Sequence, residues 1–130
     1  MQWELNSERP LYLQLIEQIQ ERIISGYYKP GDKLPSVRDL ATEATVNPNT
    51  MQKALAELER TGLVHANRTS GRYITSDETL IKKLRGQSVK NQVLEFLEKM
   101  MQMGFNLDEI ISLIKDISES DNLDGKQFNK

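Results

Sequence analysis

The side chains in this chain that could do chemistry are hydrogen-bonding groups and cations, not catalysts. Asn49, Thr50, Gln52 and Lys53 crowd directly after Asn47-Pro48. Asn and Gln amides suit the edge of an adenine, and a lysine ammonium suits a phosphate. A second group, Arg68-Thr69-Ser70-Gly71-Arg72, sets two guanidiniums around a glycine. A third is Ser36 with Arg38 two residues on. A serine that opens a helix leaves backbone donors and a hydroxyl free for an anion at the positive helix end. Each group also has a plainer reading. Ser36 is a natural helix cap, and Arg38 could pair with Asp39 or Glu43 on a solvated face. Asn49 and Thr50 fit a first helical turn equally well, and Lys53 and Arg72 fit ordinary surface charge.

The inventory for catalysis is poor. There is no cysteine, which rules out a thiol nucleophile, a thiolate metal site and a disulfide scaffold. His65 is the only histidine, and it reads as an ordinary strand residue. No acid, base and nucleophile gather at useful spacing, so neither an enzyme nor a cofactor or metal site is expected. The five methionines read as core or interface filling.

At 130 residues the chain can close one core and carry an appendage, but not two full-sized domains. Its 38% hydrophobic and 28% charged content is that of a globular protein. The opening Met1-Gln2-Trp3-Glu4-Leu5 has no basic start or apolar run, and no stretch approaches membrane-spanning length. A cytoplasmic protein with no membrane partner is expected. Net charge is −2, and residues 1–76 carry nine basic against nine acidic side chains. Composition alone therefore does not announce a nucleic-acid partner. Any such function must rest on where a few cations are aimed.

The elements that must position these groups follow from periodicity and punctuation. Residues 10–25 form a helix, with Tyr12, Ile16, Ile19 and Ile23 inward and Glu17, Gln18, Glu21 and Arg22 on the other side. Pro30-Gly31 marks a turn. Ser36-Val37-Arg38-Asp39 has the form of a capping box and opens a helix to about Ala44 that buries Val37, Leu40, Ala41 and Ala44. Asn47-Pro48 opens a third helix to about Thr61, with Met51, Leu55 and Leu58 inward. Residues 63–67 and 72–75 read as short strands around a basic tip. From about Asp77 the pattern is helical again, with Gly86 either breaking or bending it. A final helix opens at Asn106-Leu107-Asp108-Glu109 and carries Leu107, Ile110, Ile111, Ile114 and Ile117.

Two short helices in tight succession, the second opening on small polar side chains, make a helix-turn-helix. The run Ile23-x-x-Gly26-x-x-x-Pro30-Gly31-Asp32-Lys33-Leu34-Pro35-Ser36-Val37-Arg38-Asp39-Leu40-Ala41 resembles the signature of GntR-family regulators. Its continuation Val46-Asn47-Pro48-Asn49-Thr50-Met51-x-x-Ala54-Leu55-x-x-Leu58-x-x-x-Gly62-Leu63-Val64 resembles the same family's recognition helix and first wing strand. The likeness covers about residues 10–75. The short two-helix tail and the Arg68-Thr69-Ser70-Gly71-Arg72-Tyr73 wing resemble the YtrA-like subgroup, with Thr69 standing where many members have a second glycine.

The resemblance implies a mainly α fold with a small β-hairpin. An N-terminal winged helix-turn-helix (1–76) precedes a helical dimerisation region (77–118) and a disordered tail (119–130). It implies a bacterial transcription regulator, more commonly a repressor, bound as a homodimer to a pseudo-palindromic stretch of double-stranded operator DNA. It places Arg38 in the major groove, where a guanidinium suits guanine O6 and N7. The recognition helix would add Asn47, Pro48, Asn49, Thr50, Gln52 and Lys53. At the wing, Gly71 would let the backbone approach the minor groove, with Arg68, Ser70 and Arg72 beside it.

The C-terminal helices show apolar stripes without enough chain to cover them. Leu84, Val89, Val93, Phe96, Leu97, Met100, Ile110, Ile111 and Ile114 are the expected dimer contacts. A separate effector-binding domain does not fit in this length. An inducer, if one acts, would bind at the dimer interface or between the two parts. The rival reading is a winged-helix protein-interaction module without specific DNA binding.

Overall fold

The computed structural model describes residues 1–120; the expected disorder of the tail falls almost wholly outside them. Five helices and one two-stranded antiparallel sheet follow in the order α1 (Leu11–Ile24), α2 (Val37–Ala44), α3 (Pro48–Arg60), β1 (Val64–Asn67), β2 (Gly71–Ile74), α4 (Glu78–Gln102) and α5 (Leu107–Ser120). The fold is mainly helical with a small hairpin, as the sequence pattern implies. The chain divides into two compact units, Met1–Gly86 and the residues from Gln87 onward.

In the first unit, α2 and α3 start where their cap residues dictate. The Ser36 hydroxyl accepts a hydrogen bond from the Asp39 amide at 3.1 Å. The Asn47 side chain accepts from the Asn49 amide at 2.8 Å, with Pro48 at the first helical position. These satisfy donors that a helix start otherwise leaves orphaned. The apolar faces of α1, α2 and α3 meet in one core of Leu15, Ile19, Ile23, Leu40, Met51, Leu55 and Leu58, all almost wholly buried. Each such side chain contributes about 1.5–3 kcal/mol relative to exposure. Leu63, Val64 and Ile74 close the core from the hairpin, and Ile81 from the first turns of α4. Leu84 also packs against this core, as a half-buried residue of the first unit.

The hairpin pairs Val64 with Ile74, His65 with Tyr73, Ala66 with Arg72 and Asn67 with Gly71. Its other edge is not free. Residues 32–34 lie along β2: Ile74 donates to the Asp32 carbonyl at 2.8 Å and Leu34 donates to the Arg72 carbonyl at 2.9 Å. Lys33 sits opposite Tyr73. The stretch after Pro30-Gly31 thus serves as a third strand of the wing, which periodicity over so few residues cannot signal.

Arg22 departs from its expected place on the polar side of α1. Its side chain is only 2% exposed. The guanidinium lies 3.9 Å from the centre of the Trp3 ring and donates to the Tyr28 hydroxyl and the Met1 carbonyl, both at 3.1 Å. A guanidinium tolerates burial when its donors are used and an aromatic face covers it. Burial in the same cluster raises the Tyr28 hydroxyl pKa, which the neighbouring Arg22 partly offsets. Gln14 and Gln18 hold the incoming segment against α1, Gln14 through the Asn6 amide and carbonyl and Gln18 through those of Glu4.

Gly86, the last residue of the first unit, is no break: α4 runs unbroken through it. The expected cap of α5 forms reciprocally. Glu109 donates its amide to the Asn106 side chain, and the Glu109 carboxylate accepts from the Asn106 amide, each at 2.9 Å. Ile110 is buried, whereas Val89, Val93, Phe96, Ile111 and Ile114 are exposed and Leu97 and Met100 half-buried.

Candidate nucleic-acid interface

The first unit carries an open groove of about 770 Å³ between the start of α2 and the tip of the wing. Lys33, Ser36, Arg38, Ser70, Gly71 and Arg72 are among the residues lining it. Parts of the chain more than thirty residues apart meet there because residues 32–34 tie the approach to α2 onto β2. The groove thus joins two groups that the sequence presents separately, the capped helix start and the wing tip.

Arg38 is exposed and forms no ion pair among the described residues. The alternative pairing with Asp39 or Glu43 is not formed; Glu43 lies instead 3.9 Å from Arg22. Arg38 therefore offers its guanidinium to solvent from the first turn of α2, with nothing to be displaced before it can engage a ligand. Ser36 has already spent its oxygen as acceptor to Asp39, but its hydroxyl proton stays free to donate.

The start of α3 lies outside the lining of this groove. There Asn47, Pro48, Asn49, Gln52 and Lys53 are exposed and Thr50 is half-buried. Asn47 is engaged as the cap. The Lys53 ammonium rests 3.9 Å from the centre of the Tyr12 ring, which anchors it to α1 while leaving it at the surface. Asn49 and Gln52 make no side-chain hydrogen bond within the described residues, so their amides are open to a partner.

At the wing tip, the departure at Thr69 has a local answer. The Asn67 side chain accepts from both the Thr69 amide and its hydroxyl, each at 3.1 Å, and so shapes the turn without a second glycine. Ser70 accepts from the Tyr73 hydroxyl at 2.9 Å. Gly71 adopts φ 109°, and a Cβ there would lie 3.4 Å from the Lys33 Cε. The backbone angle favours glycine. Arg68 is exposed. Arg72 is not free: its side chain, 19% exposed, is hydrogen-bonded and ion-paired to Glu59 of α3. Lys33 is a cationic groove residue that sequence reasoning missed. Its strand partner Tyr73 is forty positions away, so no local pattern marks it.

Among the described residues, no cluster of His, Asp and Glu could hold a metal ion, and no helix is long and apolar enough to cross a membrane.

The sequence pattern of the bacterial regulatory proteins of the gntR family matches residues 11–74. The HTH-type transcriptional repressor YtrA of Bacillus subtilis is 39% identical over 119 residues, covering 91% of this chain and 92% of YtrA. This chain belongs to the GntR family. Solved structures agree with that membership. A GntR family transcriptional regulator from Listeria monocytogenes superimposes with a TM-score of 0.79 at 38% identity, covering 86% of this chain and 98% of its own. The DNA-binding domain of AraR in complex with its operator ORE1 matches 58% of this chain and 94% of that one, with 30% identity and a TM-score of 0.50. This GntR protein is a DNA-binding transcription regulator of the YtrA type, built on a winged helix-turn-helix, and not an enzyme.

Proposed function

We propose that this GntR regulator is a cytoplasmic repressor that binds a pseudo-palindromic operator as a homodimer. The observation that carries the reading is Arg38, an unpaired guanidinium at the mouth of a groove formed by a helix start and the wing. In this reading α3 lies in the major groove, with Asn49, Thr50 and Gln52 toward base edges and Asn47, Pro48 and Lys53 along the backbone. Arg38 reaches a guanine, and Ser36 donates to a phosphate. The wing follows the adjacent minor groove through Arg68, Ser70 and Gly71. Bacillus subtilis YtrA, similar over nearly its whole length, is a transcriptional repressor, which supports the sign of regulation.

The second unit supports the dimer. Val89, Val93, Phe96, Ile111 and Ile114 are each 41–54% exposed on a short helical pair. A symmetric partner would remove this surface from water and set two recognition helices about one DNA turn apart.

The test is a salt-dependent titration against the DNA upstream of the protein's own gene, with random DNA as competitor. Tight binding that survives the competitor and weakens steeply with salt is the expected result. No salt-dependent binding to any DNA would contradict the reading and favour a protein-docking module, to which the neutral charge of residues 1–76 is no obstacle.

A further inference from the structure

We infer that the two cations at the base of the wing divide their labour. Lys33 neutralises a DNA phosphate, and Arg72 is a positioning residue that aims the wing through Glu59. The inference rests on the DNA-binding reading and refines which side chains carry it.

Both residues line the groove, and the strand pairing sets their side chains on different faces of the wing. Side chains alternate along a strand, and directly opposed residues of an antiparallel pair share a face. Lys33 opposes Tyr73, so Lys33, Tyr73 and Gly71 share one face of the wing while Arg72 and Ile74 share the other. The Lys33 Cε lies 3.4 Å from where a Gly71 Cβ would stand, which puts its stem along the glycine backbone. Its ammonium belongs to an exposed residue without an ion-pair partner among the described residues. It lines the same groove as Ser36 and the free Arg38.

On the opposite face, Ile74 is buried in the core. Arg72 is 19% exposed and joined to Glu59, itself 30% exposed. That contact links β2 to the last turns of the recognition helix. An arginine held in this way has its charge offset and its donors partly used, so it contributes little to counterion release. It does fix where the wing tip stands relative to α3. Lys33, by contrast, has no competing ion-pair partner among the described residues.

Counterion release distinguishes the roles. Each phosphate contact contributes about 0.9 to the slope of log affinity against log salt concentration. Lys33→Gln should lower that slope by about 0.9 and weaken binding to operator and random DNA alike. Arg72→Gln and Glu59→Gln should leave the slope unchanged and each lower the operator-to-random ratio by about tenfold, and the double variant should lose no more than either single one. Thermal unfolding of each variant confirms that it is folded; Lys33 is exposed and its replacement keeps the fold. An unchanged slope for Lys33→Gln overturns its assignment, as does a slope lowered by about 0.9 for Arg72→Gln. Additive losses at Glu59 and Arg72 overturn the strut. If the native protein itself shows no salt-dependent DNA binding, the DNA reading fails first and takes this inference with it.

Discussion

The two units of the chain handle apolar surface in opposite ways. In Met1–Gly86, three helices and the wing turn their large apolar side chains inward until Leu15, Ile19, Leu40, Met51, Leu55 and Leu58 have no exposed area. From Gln87 onward, Val93, Leu94, Phe96, Leu113 and Ile114 each keep 41–50% of their area in water. Among the described residues there, Ile110 alone is as buried as the first unit's core, beside a small hollow lined by Phe96, Met100, Phe105, Leu113, Ile114 and Ile117. The difference is one of chain economy. The first unit has enough elements to surround a core; the second has one helical pair, whose outward stripes are left exposed among the described residues. A closed core suits the part proposed to present a rigid groove to DNA, and an open face suits the part proposed to find a second copy.

The widest consequence of this contrast concerns assembly. Val93→Asp with Phe96→Asp should leave the first unit folded, convert the protein to a monomer by sedimentation, and lower operator affinity about 10²–10⁴-fold through lost bivalency. A variant that stays dimeric would move the interface elsewhere. Next in size, Leu55→Ala should cost about 2–5 kcal/mol because it opens a cavity in a core with no slack. Its chemical denaturation should show the same loss at every protein concentration. Ile114→Ala, on the exposed stripe, should instead lower the melting temperature in a concentration-dependent way. Identical behaviour of the two would erase the distinction between the units.

A smaller effect probes how the first unit is sealed. Arg22→Ala should cost about 1–3 kcal/mol, since it strands the Tyr28 hydroxyl and the Met1 carbonyl without their donor. The smallest is a pH effect. Burial raises the Tyr28 pKa in the fold, so its neutral form is favoured there. Its contribution is present below the unfolded tyrosine pKa of about 10 and is lost as pH rises through the higher folded value. Thermal scans should therefore show stability falling above pH ~10, and less steeply in Tyr28→Phe.

What the sequence makes legible is what short-range chemistry decides. Ser36, Asn47-Pro48 and Asn106 with Glu109 are caps whose partners lie two or three residues away, and all three form. The apolar spacing of Met51, Leu55 and Leu58 names the buried face of α3 correctly. The unforeseen features all depend on distant partners. Arg22 reads as a polar-face residue until Trp3 and Met1 fold back over it. Lys33 reads as part of a turn until β2 arrives alongside. Arg72 reads as a free wing cation until α3 offers Glu59. Gly86 stays ambiguous because one glycine costs a helix only about 1 kcal/mol, which good flanking helix formers offset. The groove itself is a product of this long-range pairing, which is why its two halves were visible separately but not as one site.

The reading stands or falls on whether the exposed guanidinium of Arg38 reads operator sequence. The most direct measurement is a paired titration of native protein and Arg38→Ala against the upstream DNA and against random DNA at one salt concentration. The variant should stay folded and lose about 1–3 kcal/mol of discrimination for each guanine that Arg38 contacts, with random-DNA binding only slightly weakened. A variant that keeps the native preference for the operator would contradict it.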